Sequence, residues 1–275
     1  MGGDANSRPR ASWWRAPLSR LHGWREQRAL ARRAIPEPLW QLTLSRLPFL
    51  ARLDDTDLVE LRRLCSLFLD QKEFHGVDGL EVTDDMALAV AAQACLPVLR
   101  LGLDLYGGFV GIVMHRDEVV AQRSWMDEDG VVHEYDEALT GEAMGGGPMM
   151  LTWADVRDAA EGADWGYNVV IHEFAHVLDM ADGTADGVPP LPDLAARESW
   201  IETIDTAYEA FCDLVDSGVE TVLDPYGAEA PEEFFAVAVE AFFVTSAPFK
   251  RESPEMYALL AGYFRQDPAA GRAAD

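Results

Sequence analysis

Cysteine is scarce in this 275-residue sequence: Cys65, Cys95 and Cys212 lie far apart and form no C-x-x-C pair. An odd, scattered set offers no disulfide framework and fits free, mostly buried thiols in a reducing compartment. Long apolar runs are also missing. The nearest, Met86 to Leu99, is interrupted by Gln93 and Pro97 and followed by Arg100, so it reads as a buried helix rather than a transmembrane span. The N-terminus has charge but no apolar core, which excludes a secretory signal and makes the cytoplasm the expected compartment. Internal repeats and low-complexity segments are absent. Basic charge is thin outside the first 40 residues. Those carry eight arginines against Asp4, Glu26 and Glu37, net +5, while the remainder carries 14 basic against 45 acidic residues, net −31. So acidic a body repels nucleic acid, and no direct nucleic-acid role is expected.

What is present is ordinary globular material: 49% hydrophobic and 25% charged residues. The expected division is a basic, flexible N-terminal extension over 1–35, one folded domain over 36–268, and a tail over 269–275. The extension interleaves Trp13, Trp14 and Trp24 with its arginines. It reads as a tail attracted by the acidic body, with contact to a membrane surface or an acidic partner as the alternative.

Pro36 and Pro38 open the folded part. Leu58, Leu61, Leu64, Leu67 and Phe68 recur at helical spacing behind Asp54 and Asp55 as caps. A second helix is expected over Asp84 to Cys95. Strands are expected at Phe109 to Met114, Glu118 to Trp125, Val131 to Tyr135 and Met149 to Trp153, with Gly130 as a turn and Gly145 to Pro148 as a loop. Helices then follow at Asn168 to Met180 (Gly183 ending it), Ala195 to Leu214, Pro231 to Thr245 and Met256 to Phe264. Helices, strands, then helices indicate an α+β fold, mostly helical with a small mixed sheet.

The segment that carries chemistry is His172-Glu173-Phe174-Ala175-His176, an H-E-x-x-H motif on an apolar, helix-forming stretch. Residues four apart stack on one helix face, so both imidazoles reach one ion. Glu173 stands about 100° round the helix, where it reaches a water on that ion without ligating it. Zinc brings such a water's pKa toward neutrality, and the glutamate takes its proton as the water attacks a carbonyl. With 6 histidines in the chain, chance supplies such a match in about one chain in a hundred of this composition. A catalytic zinc needs a third protein ligand. Asp182, Glu198, Glu202 and Glu233 are all candidates, and spacing does not choose among them.

The stretches His172 to Gly183, Gly187-Val-Pro-Pro-Leu-Pro192, Asp224-Pro-Tyr-Gly227 and Pro231 to Phe243 together resemble the Mlc titration factor A family of bacterial zinc peptidases. The likeness runs from about Pro36 to Pro268 and leaves out only the terminal segments. It implies a zincin-like metallopeptidase core of the gluzincin type, with one catalytic zinc held by His172, His176 and Glu233. It also implies Tyr226 as a residue steadying the oxyanion, beside Glu173 as base. Peptides are the implied substrates, and a Mlc-like transcriptional repressor is the implied protein partner. Glu240, two helical turns after Glu233, is expected to orient a ligand histidine, and Asp179 to do likewise or to cap a nearby loop. The strand at Met149 to Trp153 is expected as the sheet edge along which a peptide lies, or else as a core strand.

Overall fold

The structure is a computed structural model that describes residues 16–117, 119–126, 132–139, 141–143, 147–162 and 166–270. Four helices come first: α1 (Ala16–Arg32), α2 (Glu37–Arg46), α3 (Asp55–Gln71) and, after the short strand β1 (Glu73–Gly76), α4 (Asp84–Cys95). Strands β2 (Gly111–His115), β3 (Val119–Met126), β4 (Val132–Leu139), β5 (Gly141–Ala143) and β6 (Met149–Thr152) follow. Helices α5 (Trp153–Gly162), α6 (Val169–Asp179), α7 (Leu194–Asp216), α8 (Pro231–Val244), α9 (Ser246–Glu252) and α10 (Pro254–Phe264) complete the chain. This is the expected α+β architecture.

The main sheet has the order β1-β2-β6-β5. β1, β2 and β6 are parallel, and β5 runs antiparallel to β6. The sheet is therefore mixed, and it lies beside α6 as expected. The strand at Met149 to Thr152 is not an edge: β2 pairs with one side and β5 with the other. The edge on that side belongs to β5, and Trp153, expected at the strand's end, opens α5 instead. β3 and β4 form a separate antiparallel pair. Glu118, the turn at Gly130 with Val131, and Gly145 and Gly146 of the expected loop lie outside the described residues.

The expected flexible extension over 1–35 does not describe its second half. α1 packs on α3, where Ala29 is buried, Arg32 donates to Asp70 at 2.9 Å and Glu26 pairs with Arg63. Arg32, which looked like part of a solvated tail, finds a carboxylate on α3, and Glu26 of α1 finds an arginine there. Residues 1–15, with Trp13 and Trp14, lie outside the described residues, as do residues 271–275. No described helix is long and apolar enough to cross a membrane.

α8 is the central element. Every residue from Phe234 to Val244 is buried, the mark of a helix surrounded by protein on all sides. Phe242 and Phe243 pack on Phe264 of α10, with ring centroids 5.6 and 5.0 Å apart. Each such side chain contributes about 1.5–3 kcal/mol of burial, so the rod is firmly seated. Its far end is held by Arg52, which donates to Val244 O and Ser246 Oγ, each at 2.7 Å. A cation there also complements the helix dipole.

Candidate metal centre

α6 begins at a built cap. The Asn168 side chain accepts from Ile171 N at 2.9 Å, satisfying one of the amides that a helix start leaves open. The apolar face of α6 (Val170, Ile171, Phe174, Ala175 and Leu178) is buried, which turns His172 and His176 toward α8. Pro231 starts α8 where its missing N–H costs nothing. Glu232 and Glu233 stand in the first turn, where the helix dipole favours negative charge.

The three ligand candidates converge. His172 Nε2 lies 3.1 Å from Glu233 Oε2 and 3.1 Å from His176 Nε2, and His176 Nε2 lies 3.3 Å from Glu233 Oε2. An ion at roughly 2.0–2.2 Å from tetrahedral ligands holds their atoms about 3.4 Å apart, so the triangle is close to what one ion requires. Two imidazole nitrogens and one carboxylate oxygen are also a donor set that zinc takes. Glu173 is buried beside them, and its Oε2 has no hydrogen-bond partner. A buried carboxylate oxygen left open is costly and is what a waiting base looks like. Residues and group therefore fit.

The orientation of His172 is enforced from behind. Its Nδ1 donates to Glu240 Oε1 at 2.7 Å, which leaves Nε2 to face the site. Glu240 also accepts from the Asn168 backbone N–H. The Asn168 amide donates to Gln93 Oε1 at 2.7 Å, and Gln93 donates to Ala89 O at 2.9 Å. This buried chain of polar groups ties α4, the start of α6 and α8 together. Glu240 makes the contact to His172 that its expected orienting role requires. Gln93 and Asn168 were not foreseen in it, although a lone polar residue inside an apolar helix and an asparagine just before one are both legible signals.

Electrostatics agree with the geometry. Burial pulls the His172 imidazole toward neutrality, but Glu240 and Glu233 outweigh it and lift its pKa to about 10 in the metal-free cluster. Burial pushes the Glu233 carboxyl up, but hydrogen bonds from both histidines win and bring it to about 2. Glu173 is raised, chiefly by burial, with the two histidines offsetting part of the shift. Such a shift moves a carboxylate toward general-base service.

The other candidates lie elsewhere. Asp182 accepts from Thr184 and Arg197, and Glu198 and Glu202 are exposed on α7. Tyr226 sits on the short turn Pro225–Ala228, whose start is capped by Asp224 accepting from Tyr226 N at 2.9 Å. Its ring centroid is 6.1 Å from that of His172, and it is 44% exposed, which puts an accessible phenol ring beside the cluster. Asp179 caps a loop: its carboxylate accepts from Gly187 N at 3.0 Å and Val188 N at 2.8 Å.

Residues 21–265 match the family described as glucose-regulated metallo-peptidase M90. The chain belongs to that family. An uncharacterized protein of Synechocystis sp. is 35% identical over 247 residues, covering 89% of each chain. Mlc titration factor A of Pectobacterium atrosepticum is 34% identical over 234 residues, covering 84% of this chain and 87% of its own. Mlc titration factor A of Edwardsiella ictaluri is 35% identical over 248 residues, covering 89% and 92%. The M90 match begins inside α1 and ends just after α10, so it spans every element that builds the cluster.

Proposed function

We propose that this chain is a cytoplasmic zinc-dependent peptidase, with His172, His176 and Glu233 holding one zinc ion and Glu173 as general base. The observation that carries the reading is the triangle of ligand atoms with an unpartnered, buried Glu173 oxygen beside it. When bound, zinc supplies Lewis acidity, polarising the scissile carbonyl and easing deprotonation of the attacking water. The Glu173 carboxylate takes that water's proton and returns it to the leaving amine. Glu240 keeps His172 in the tautomer that offers Nε2. The Tyr226 hydroxyl donates to the negative charge that develops on the carbonyl oxygen. The substrates are peptides or peptide-like amides.

The test is Glu173→Gln. It is expected to retain zinc and to lose peptide hydrolysis by roughly 10²- to 10⁴-fold, the range for a positioned general base. A variant that cleaves as fast as wild type rules the mechanism out. A second function is favoured by the name of the relatives, Mlc titration factor A: binding of a Mlc-like transcriptional repressor. The acidic body suits a basic protein surface. Repressor binding that survives Glu173→Gln separates the two activities.

A further inference from the structure

Asp179 ends α6, one turn beyond His176, and its side chain is wholly buried. Among the described residues no lysine or arginine pairs with it. A negative charge at a helix C-terminus opposes the dipole, and burial pushes its pKa up to about 6 even though backbone amides hold it. So unfavourable a placement calls for a return, and the loop supplies one. The two carboxylate oxygens each take one backbone N–H, from Gly187 and Val188. Gly187 O in turn accepts from Trp200 Nε1 of α7 at 3.0 Å. Gly187 has φ +74°, and a Cβ built on it would lie 2.8 Å from Pro231 O and 3.3 Å from Ile204 Cδ1. The loop backbone is thus wedged directly against the first residue of α8, two residues before Glu233.

We propose that Asp179 is a positioning residue for the metal centre: through the backbone of Gly187 it sets where Pro231, and with it Glu233, stands relative to the two histidines. The proposal rests on Glu233 being a ligand, as argued above. Asp179 touches neither ion nor substrate. It holds the spacing between α6, which carries two ligands, and the first turn of α8, which carries the third.

The experiment measures zinc affinity by competition with a chromogenic chelator, in wild type, Asp179→Asn, Glu233→Ala and the double variant, with circular dichroism to verify folding. Asparagine keeps one acceptor and turns an NH₂ toward the other amide, so one clamp bond is lost. Asp179→Asn is expected to weaken zinc binding about 10- to 100-fold, as for other groups that orient ligands from behind. In the Glu233→Ala background the same change is expected to alter affinity by less than about threefold, because its route to the metal is already gone. A purely structural role would weaken binding equally in both backgrounds, and that result overturns the proposal. So does unchanged affinity in Asp179→Asn alone. Unchanged affinity in Glu233→Ala alone instead overturns the ligand assignment. If Asp179→Asn does not fold, Gly187→Ala attacks the same wedge from its other side, with the same pattern expected.

Discussion

Replacing Glu240 by glutamine tests whether the metal centre depends on its hydrogen-bonded backing. Glu240 is buried and accepts from two donors, His172 Nδ1–H at 2.7 Å and the Asn168 N–H. Glutamine has nearly the same shape but only one acceptor oxygen, so its NH₂ must face one of those donors. The lost bond is to a charged acceptor and contributes about 1.5–3 kcal/mol. At about 1.4 kcal/mol per tenfold, Glu240→Gln is expected to weaken zinc binding roughly 10- to 100-fold. Chelator competition at fixed pH reads this directly, and thermal unfolding of the metal-free variant checks that the fold survives. Glu240→Asp, one methylene shorter, is expected to fall between the two. A folded Glu240→Gln protein with zinc affinity within about threefold of wild type would refute the reasoning, since neither the charge behind His172 nor the lost bond would then be felt at the metal.

Tyr226→Phe is expected to lower kcat about 10²- to 10³-fold, as for loss of one oxyanion donor, with KM and zinc content little changed; an unaltered kcat removes the tyrosine from the mechanism. The pH dependence of metal capture follows from His172. Its folded pKa of about 10 stands above the unfolded 6.5, so in the metal-free protein its proton stabilises the fold fully below pH 6.5 and ceases to do so as pH rises through 10. Zinc needs the lone pair which that proton occupies, so affinity is expected to rise with pH and binding near pH 7.5 to release about one proton. Calorimetry in two buffers of different ionisation enthalpy measures it, and identical heats would contradict it.

Much of the centre was legible because its spacing is local. His172, Glu173 and His176 lie within one helical turn and a bit more, and an apolar face decides which way that helix turns. Glu233 was different: it lies on another helix, and only packing of α8 against α6 distinguishes it from Asp182, Glu198 and Glu202. The resemblance named it where spacing did not. β5 went unread because three residues carry no periodicity, and without β5 the strand at Met149 looked like an edge. β1 failed for the same reason, being four mostly exposed residues. α1 was hidden by composition. Its arginines suggested a solvated tail, and only Asp70 and Arg63 of α3, which meet Arg32 and Glu26, reveal what the helix docks on. The clamp from Asp179 to Gly187 depends on a left-handed glycine meeting a proline carbonyl from another helix, a coincidence of tertiary structure that no local pattern encodes.

α8 carries both Glu233 and Glu240, and it is pinned at one end by the Gly187 wedge and at the other by Arg52. On the proposed ligand set, the third anchor of an ion and the guide of its first would therefore travel on a single stiff spindle. A slide or roll of that spindle would withdraw both carboxylates at once, so the proposed grip on an ion would be engaged or released as a whole. Damage at Arg52 or Phe243, remote from the chemistry, would accordingly surface first as a protein that sheds its metal.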